Sequence, residues 1–386
     1  MRVAFYAPLK PPCHPSPSGD RRMARALMAL LRDAGHEVRS ASCLRSYDRA
    51  GDAARQERLR RLGQRMAARL LRRSWPAGPP ELWFTYHLYH KAPDWLGPAV
   101  AAGLGIPYVV AEASLSARQA LGPWRPGHEA AQAALARADM VLAMTARDRR
   151  GLAGTVPDER LRLFPPFLDT APFAAAAGER AGHRARLAAQ HGLDPAAPWL
   201  LTVAMMREDI KRRSYEVLAD ALELVRDRPW RLLVAGDGPA RAVLEERFAA
   251  LGAGRVHFLG AVAEEALPPL YAAADLHVWP ALREAYGMAL LEAQAAGLAV
   301  VAGADGGVPE VVADGRTGLL AAPGDAAGFA ARLRHLLERP DERRAMGRAA
   351  ARLAEERHGR TAAARRLDEA LRAAVALYGR RTGAPP

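Results

Sequence analysis

Short apolar runs recur along the chain, and between most of them apolar positions return every three or four residues. The first spacing predicts buried strands and the second amphipathic helices. Strands are expected at Arg2–Ala7, Glu37–Ala41, Leu82–Tyr86, Pro107–Ala111 and Met140–Met144. A second series is expected at Trp199–Val203, Leu232–Ala235, Val256–Leu259, Leu276–Trp279 and Ala299–Ala302. Strand–helix alternation of this kind predicts an α/β chain with parallel sheets covered by helices on both faces. The Ala-rich, polar stretch Ala171–Pro198 has no strand candidate and separates the two series, while Asp325–Tyr378 is helical in pattern throughout. The expected division is therefore 1–172, 173–360 and a last helical segment 361–386.

Residues Asp52–Arg73 carry a different pattern. Leu59, Leu62, Met66 and Leu70 recur at helical spacing among seven arginines, from Arg58 to Arg73. This predicts a basic amphipathic helix, suited either to an anionic membrane surface or to packing with its arginines solvated. Charge weighs toward the first: the net charge is +13, and residues 1–170 hold 26 of the 55 Lys and Arg but only 15 of the 42 Asp and Glu. An anionic partner is expected for this half. Aromatic interleaving typical of single-strand nucleic-acid binding is weak, so nucleic acid is not expected. No apolar run approaches the length of a membrane span, and the first residues read as a strand, not a signal peptide. With only Cys13 and Cys43, no disulfide framework or four-cysteine metal site is expected. Cytoplasmic residence, with peripheral attachment to the inner face of the membrane, is the corresponding expectation.

The densest chemistry lies between Trp279 and Leu320. A strand ends at Trp279-Pro280, and the text continues Glu284-Ala285-Tyr286-Gly287-Met288-Ala289-Leu290-Leu291-Glu292 into a helix closed by Gly297. Ligands of doubly wound sheets bind where strand ends meet helix starts. Gly287 lets a phosphate approach the backbone, and the first-turn amides with the helix dipole favour an anion. Glu284 and Glu292 are acceptor-only carboxylates suited to sugar hydroxyls.

These segments resemble the retaining family-4 glycosyltransferases (glycosyl transferases group 1). Their signature is two glutamates eight apart in a strand–loop–helix, here Glu284 and Glu292. The likeness continues through Gly306-Gly307-Val308-Pro309-Glu310 and Asp314–Gly318. Upstream it takes in Gly236-Asp237-Gly238-Pro239, Val256–Gly260 and Leu270–Asp275. It is dense over Leu201–Asp325 and rests mostly on architecture over residues 1–170. The resemblance implies a GT-B fold, two Rossmann-like domains facing across a cleft, and a last helix that crosses back to the first domain. It implies that Glu284 lies against the donor sugar, that Glu292 holds the ribose hydroxyls, and that amides at Gly287, Met288 and Ala289, beside Tyr286, receive the diphosphate. Gly236, Gly238 and Leu259 would border the nucleoside. The family also uses an arginine and a lysine after the first strand of the second domain. Lys211, one of only three lysines, fits the lysine. The usual arginine position is Met205, and Arg207, two residues on, is the substitute, with Arg212 and Arg213 as alternatives.

In the first half, Pro17-Ser18-Gly19-Asp20-Arg21-Arg22 looks like the family's glycine loop, which faces donor and acceptor across the cleft, and the resemblance implies that Gly19 is donor-binding, with one glycine where two are common. The family's histidine after the fourth strand is absent, and Glu112 stands near its place. His87 and His90, after the third strand, are the other acceptor-side candidates. No dinucleotide fingerprint, Walker A segment, Asp-x-Asp pair or zinc-spaced cluster is present. The resemblance thus implies a monomeric or weakly dimeric, metal-independent enzyme without a cofactor. It would move a sugar, with retention, from a nucleoside-diphosphate sugar to a hydroxyl on a glycan or lipid-linked acceptor. A nucleotide-sugar epimerase of the same fold and a non-enzymatic basic scaffold are the rival readings.

Overall fold

A computed structural model describes residues 1–16, 18–75 and 77–383. Pro17 of the glycine loop, Pro76 and residues 384–386 lie outside the described residues. The chain divides into two compact units, 1–165 with 363–386 and 166–362. The leading segment of the first unit runs to Pro165.

The first unit holds β1 (Arg2–Tyr6), β2 (Glu37–Ser40), β3 (Leu82–Leu88), β4 (Tyr108–Ala113), β5 (Met140–Ala143) and β6 (Leu161–Leu163). They form one parallel sheet in the order β2-β1-β3-β4-β5-β6. The central strands β3 and β4 are buried almost along their length, as strands covered on both faces must be. Trp83, Tyr108 and Val110 lie in the core of this sheet. Helix Gly19–Asp33 begins where the Ser18 hydroxyl accepts the Arg21 amide, and helix Ala53–Leu71 where Asp52 accepts that of Arg55.

The last helix, Arg360–Thr382, is tied to this same unit from residue 363 onward. Arg381 donates to the Asp139 carboxylate at 3.1 and 2.7 Å, and Asp139 also accepts the Tyr108 amide at 2.9 Å. A buried carboxylate with three such donors is well matched.

The second unit holds β7 (Trp199–Val203), β8 (Arg231–Ala235), β9 (Val256–Gly260), β10 (Leu276–Trp279), β11 (Ala299–Gly303) and β12 (Gly318–Ala321). Their parallel order is β12-β11-β10-β7-β8-β9. Its core is built around the fully buried Trp199, Trp230 and Tyr215.

Ten of these twelve strands are legible in the hydrophobic pattern; β6 and β12 are not. Both are edge strands. In β6 two of three residues are exposed. β12 opens on Gly318, where a Cβ would sit 2.3 Å from the Val300 carbonyl oxygen, so close pairing demands a residue with little strand propensity.

Cys13 and Cys43 are joined as a disulfide, with their Cα atoms 6.6 Å apart. The pair ties the loop after β1 to the segment after β2. This corrects the expectation drawn from the cysteine count, which did not anticipate a covalent link, and removes that count as an argument for a reducing compartment.

Candidate functional site

Each sheet has a point where the chain reverses direction across it. In the first unit β2 lies on one side of β1 and β3 on the other; in the second, β8 and β10 flank β7 in the same way. The loops leaving such neighbouring strands diverge to opposite faces and open a crevice at their carboxyl ends. Both groups of candidate residues fall at these points.

In the second unit the crevice lies beyond β7 and β10. Asp209 caps helix Ile210–Glu223 by accepting the Lys211 amide. The helix aims Lys211 back over the end of β10. Its Nζ stands 2.5 Å from Glu284 Oε2, with the two side chains only 15% and 18% exposed. The Trp279 indole N–H donates to the same carboxylate oxygen at 3.3 Å, and Lys211 Nζ lies 5.3 Å from the Trp279 ring centroid. Glu284 is thus held by an ammonium and an indole donor inside an aromatic wall, which Tyr215 extends at 4.9 Å from Trp279.

Gly287, at φ +71°, turns the chain into helix Met288–Ala295, and no side chain caps that start. The first helical bond joins the Leu291 amide to the Gly287 carbonyl. The amides of Met288, Ala289 and Leu290 therefore have no partner along the helix and point out of its positive end. Tyr286 is partly buried beside this turn.

Glu292 lies further along the same helix, 3% exposed, and accepts the Tyr271 hydroxyl at 3.0 Å. Below it, His277 is wholly enclosed in β10, and burial pushes its imidazole down to about 3. It remains neutral at physiological pH.

The Gly236–Gly238 loop after β8 packs against the loop after β7. A Cβ on Gly236 would lie 1.9 Å from the Ala204 carbonyl oxygen, and one on Gly238 2.4 Å from that of Met206. Glycine is required at both places for close approach. Leu259, in β9, is partly buried.

Arg207 is exposed and stands 3.1 Å from Asp209. Arg212 pairs with Glu208, just ahead of its helix, and with Glu216 on it, and Arg213 pairs with Glu216. Met205 remains 56% exposed. Lys211 is the cation that the fold delivers to Glu284.

In the first unit the crevice lies beyond β1 and β3. Gly19 opens the helix after β1, and a Cβ there would meet nothing within 4 Å. Asp20, the next residue, reaches His87 at the end of β3, with Oδ1 and Nδ1 3.1 Å apart. Glu112, at the end of β4, places Oε1 3.4 Å from the same nitrogen. Burial pushes the His87 imidazole down, but Glu112 and Asp20, with Asp148 further off, more than reverse this and hold it above its usual range. The His87 contact in turn draws Asp20 below the usual carboxylate range.

His90 stands apart from this trio. Its ring packs edge-on to Trp124 at 5.8 Å, and burial, Lys91 and His128 lower its pKa. Asp20 was not singled out from the sequence, because its role depends on the neighbouring strand end. Trp279 was legible only as the end of a strand.

Backbone strain marks the same two places. Among the described residues, the non-glycine positions with positive φ are His87 (64°), Glu112 (55°), Ala281 (55°) and Arg283 (48°). All four lie in the two crevices, and such strain persists where surrounding structure enforces it, often at functional sites.

Two Rossmann-like units of parallel strands, each with its chemical groups at the reversal point, define a protein of the GT-B fold. Residues 197–339, within the second unit, match the family described as Glycosyl transferases group 1. D-inositol 3-phosphate glycosyltransferase of Nocardia farcinica is 36% identical over 224 residues, 55% of this chain and 48% of that protein. Alpha-D-kanosaminyltransferase of Streptomyces kanamyceticus is 30% identical over 248 residues, covering 64% and 62%. The chain spans about half the length of most of the curated relatives it matches. Among solved structures, Anabaena Alr3699/HepE in complex with UDP aligns over 96% of this chain and all of that one, with a TM-score of 0.71 at 18% identity.

Proposed function

We propose that this protein transfers a glycosyl group from a nucleoside-diphosphate sugar to a hydroxyl acceptor, with retention and without a metal ion. The observation that carries the reading is the Lys211–Glu284 pair beside the open helix start at Gly287. The amides of Met288 and Ala289 would receive the diphosphate, and Lys211 would answer the charge that grows on it as the sugar leaves. Glu284 would lie against the donor sugar. Glu292, steadied by Tyr271, would hold the ribose, and the Gly236–Gly238 loop with Leu259 would border the nucleoside.

In the transfer step the acceptor oxygen bonds to the anomeric carbon on the face that the diphosphate leaves. The carbon–oxygen bond to the diphosphate breaks, and the departing phosphate oxygen takes the acceptor's proton. The acceptor hydroxyl would be held in the first unit by Glu112, Asp20 and His87. An acceptor-only carboxylate is a natural partner for a polyol.

The first test is a thermal-shift panel of UDP, GDP, ADP, their sugar conjugates and NAD, run on wild type and on Lys211→Ala. One nucleoside diphosphate at about 100 times its dissociation constant should add roughly 2.7 kcal/mol, less in the variant. A shift with NAD alone, or with none of them, counts against the reading.

Helix Ala53–Leu71 supports peripheral attachment to an anionic membrane, which would bring a lipid-linked acceptor within reach. Arg58, Arg65 and Arg69 are exposed, together with Leu62 at 37% and Leu71 at 38%, while Gln56, Gly63, Ala67 and Leu70 face inward. No helix among the described residues is long and apolar enough to cross a membrane. Flotation with anionic but not neutral vesicles is expected, and equal behaviour with both removes the membrane proposal.

A further inference from the structure

The loop that carries Glu284 is held in a form its own residues disfavour. Ala281 and Arg283 both take left-handed backbone angles, φ 55° and 48°. Neither has the freedom of glycine or the local hydrogen bonding of Asn or Asp. The Arg283 side chain is exposed, so burial of that side chain does not hold the turn.

What holds it comes from two other segments. Asp305 Oδ2 accepts the Arg283 amide at 2.8 Å, and the Ser214 hydroxyl accepts the Leu282 amide at 3.2 Å. Ser214 lies one turn beyond Lys211 on the same helix and is fully buried. The Glu284 carbonyl accepts the Gly307 amide at 2.8 Å. Gly306 and Gly307 press so closely that a Cβ on either would meet the Glu284 or Ala285 carbonyl oxygen at 1.8 or 2.2 Å. Successive residues from 282 to 284 are therefore each pinned by a separate contact, and the carboxylate that follows from this backbone meets Lys211 and Trp279.

We infer that Asp305 is a positioning residue for Glu284: by accepting the Arg283 amide it fixes the left-handed turn that aims the Glu284 carboxylate at Lys211 and Trp279. Ser214 performs the same service from the opposite side. The catalytic consequence rests on the reading of Glu284 as the donor-sugar carboxylate; the positioning itself does not.

The test uses the Trp279 indole N–H, which reports directly on Glu284 Oε2. Its nitrogen–proton NMR signal is assigned with Trp279→Phe, and the other six of the seven tryptophans serve as controls for folding. Asp305→Ala should move the Trp279 signal while the other six stay in place. Asp305→Asn, which keeps an acceptor oxygen, should leave it near the wild-type position. Adding Arg283→Gly to Asp305→Ala should bring the signal back, because glycine takes the left-handed angle unaided. With the sugar conjugate of whichever diphosphate binds, Asp305→Ala should lower kcat on the order of tenfold, with the diphosphate dissociation constant unchanged. An unmoved Trp279 signal in Asp305→Ala, or no return on adding Arg283→Gly, overturns the inference. Full turnover by Glu284→Gln, with the Trp279 results as expected, would instead overturn the proposed role of Glu284 and leave the positioning intact.

Discussion

The two reversal points of this molecule occupy the same place in their sheets and carry opposite chemistry. In the second unit a lysine faces one glutamate beside a helix start rich in unused amides. In the first, one histidine stands among Asp20 and Glu112. Positive charge and helix-start amides gather at the former, and carboxylates around one imidazole at the latter. Their backbones differ as well. The glycines after β8 are forced by contact with neighbouring carbonyls, whereas Gly19 has open space around it. The loops of the second unit are tightly interlocked.

That comparison can be broken first through Glu284. Glu284→Gln keeps the shape but removes the charge held by Lys211, and transfer should fall by about 10³-fold with little change in nucleotide affinity. Parallel losses in the two would show that Glu284 serves binding alone.

The next largest effect separates the glycine loops. Gly236→Ala should destabilise the protein by about 2–4 kcal/mol in urea unfolding, because the Ala204 carbonyl must move. Gly19→Ala should fall within about 0.5 kcal/mol of wild type. Similar losses at both would mean that the loops are equally constrained.

A smaller effect is electrostatic. In Glu112→Gln the His87 midpoint should drop, read from its imidazole NMR signals between pH 5 and 9. The sign for stability follows from the raised pKa. The contribution of His87 is fully present below its unfolded value, about 6.5, and is lost as pH rises through the folded midpoint. His277 gives the contrast in the same spectra: with its midpoint at about 3, it should show no titration over this range. A His87 midpoint unmoved by the substitution would remove Glu112 from the cluster.

The candidate site of the second unit was far more legible than that of the first. Glu284, Gly287 and Glu292 sit within nine consecutive residues, and a short helix can only present them at one strand end. Lys211 was found by its position after β7, and the fold brought it to Glu284. Arg207 follows the same strand, yet its ion pair is with Asp209, the cap of the next helix. In the first unit, His87 and Glu112 were visible as single residues and His90 seemed their equal. Three residues further along, past the end of β3, His90 packs on Trp124 instead.

Local sequence decided most of the elements: ten of the strands from apolar runs, and the helices from their three-to-four-residue periodicity. These depend on contacts a few residues apart, so a window of sequence contains their causes. Strand order, the pairing of Asp20 with His87, the disulfide and the clamp of Asp305 on Arg283 required the tertiary structure. Each joins residues separated by tens of positions, and their proximity follows from which strands lie side by side. No local pattern encodes that, because many strand orders satisfy the same run of apolar and polar residues, and the packing of the whole sheet selects one.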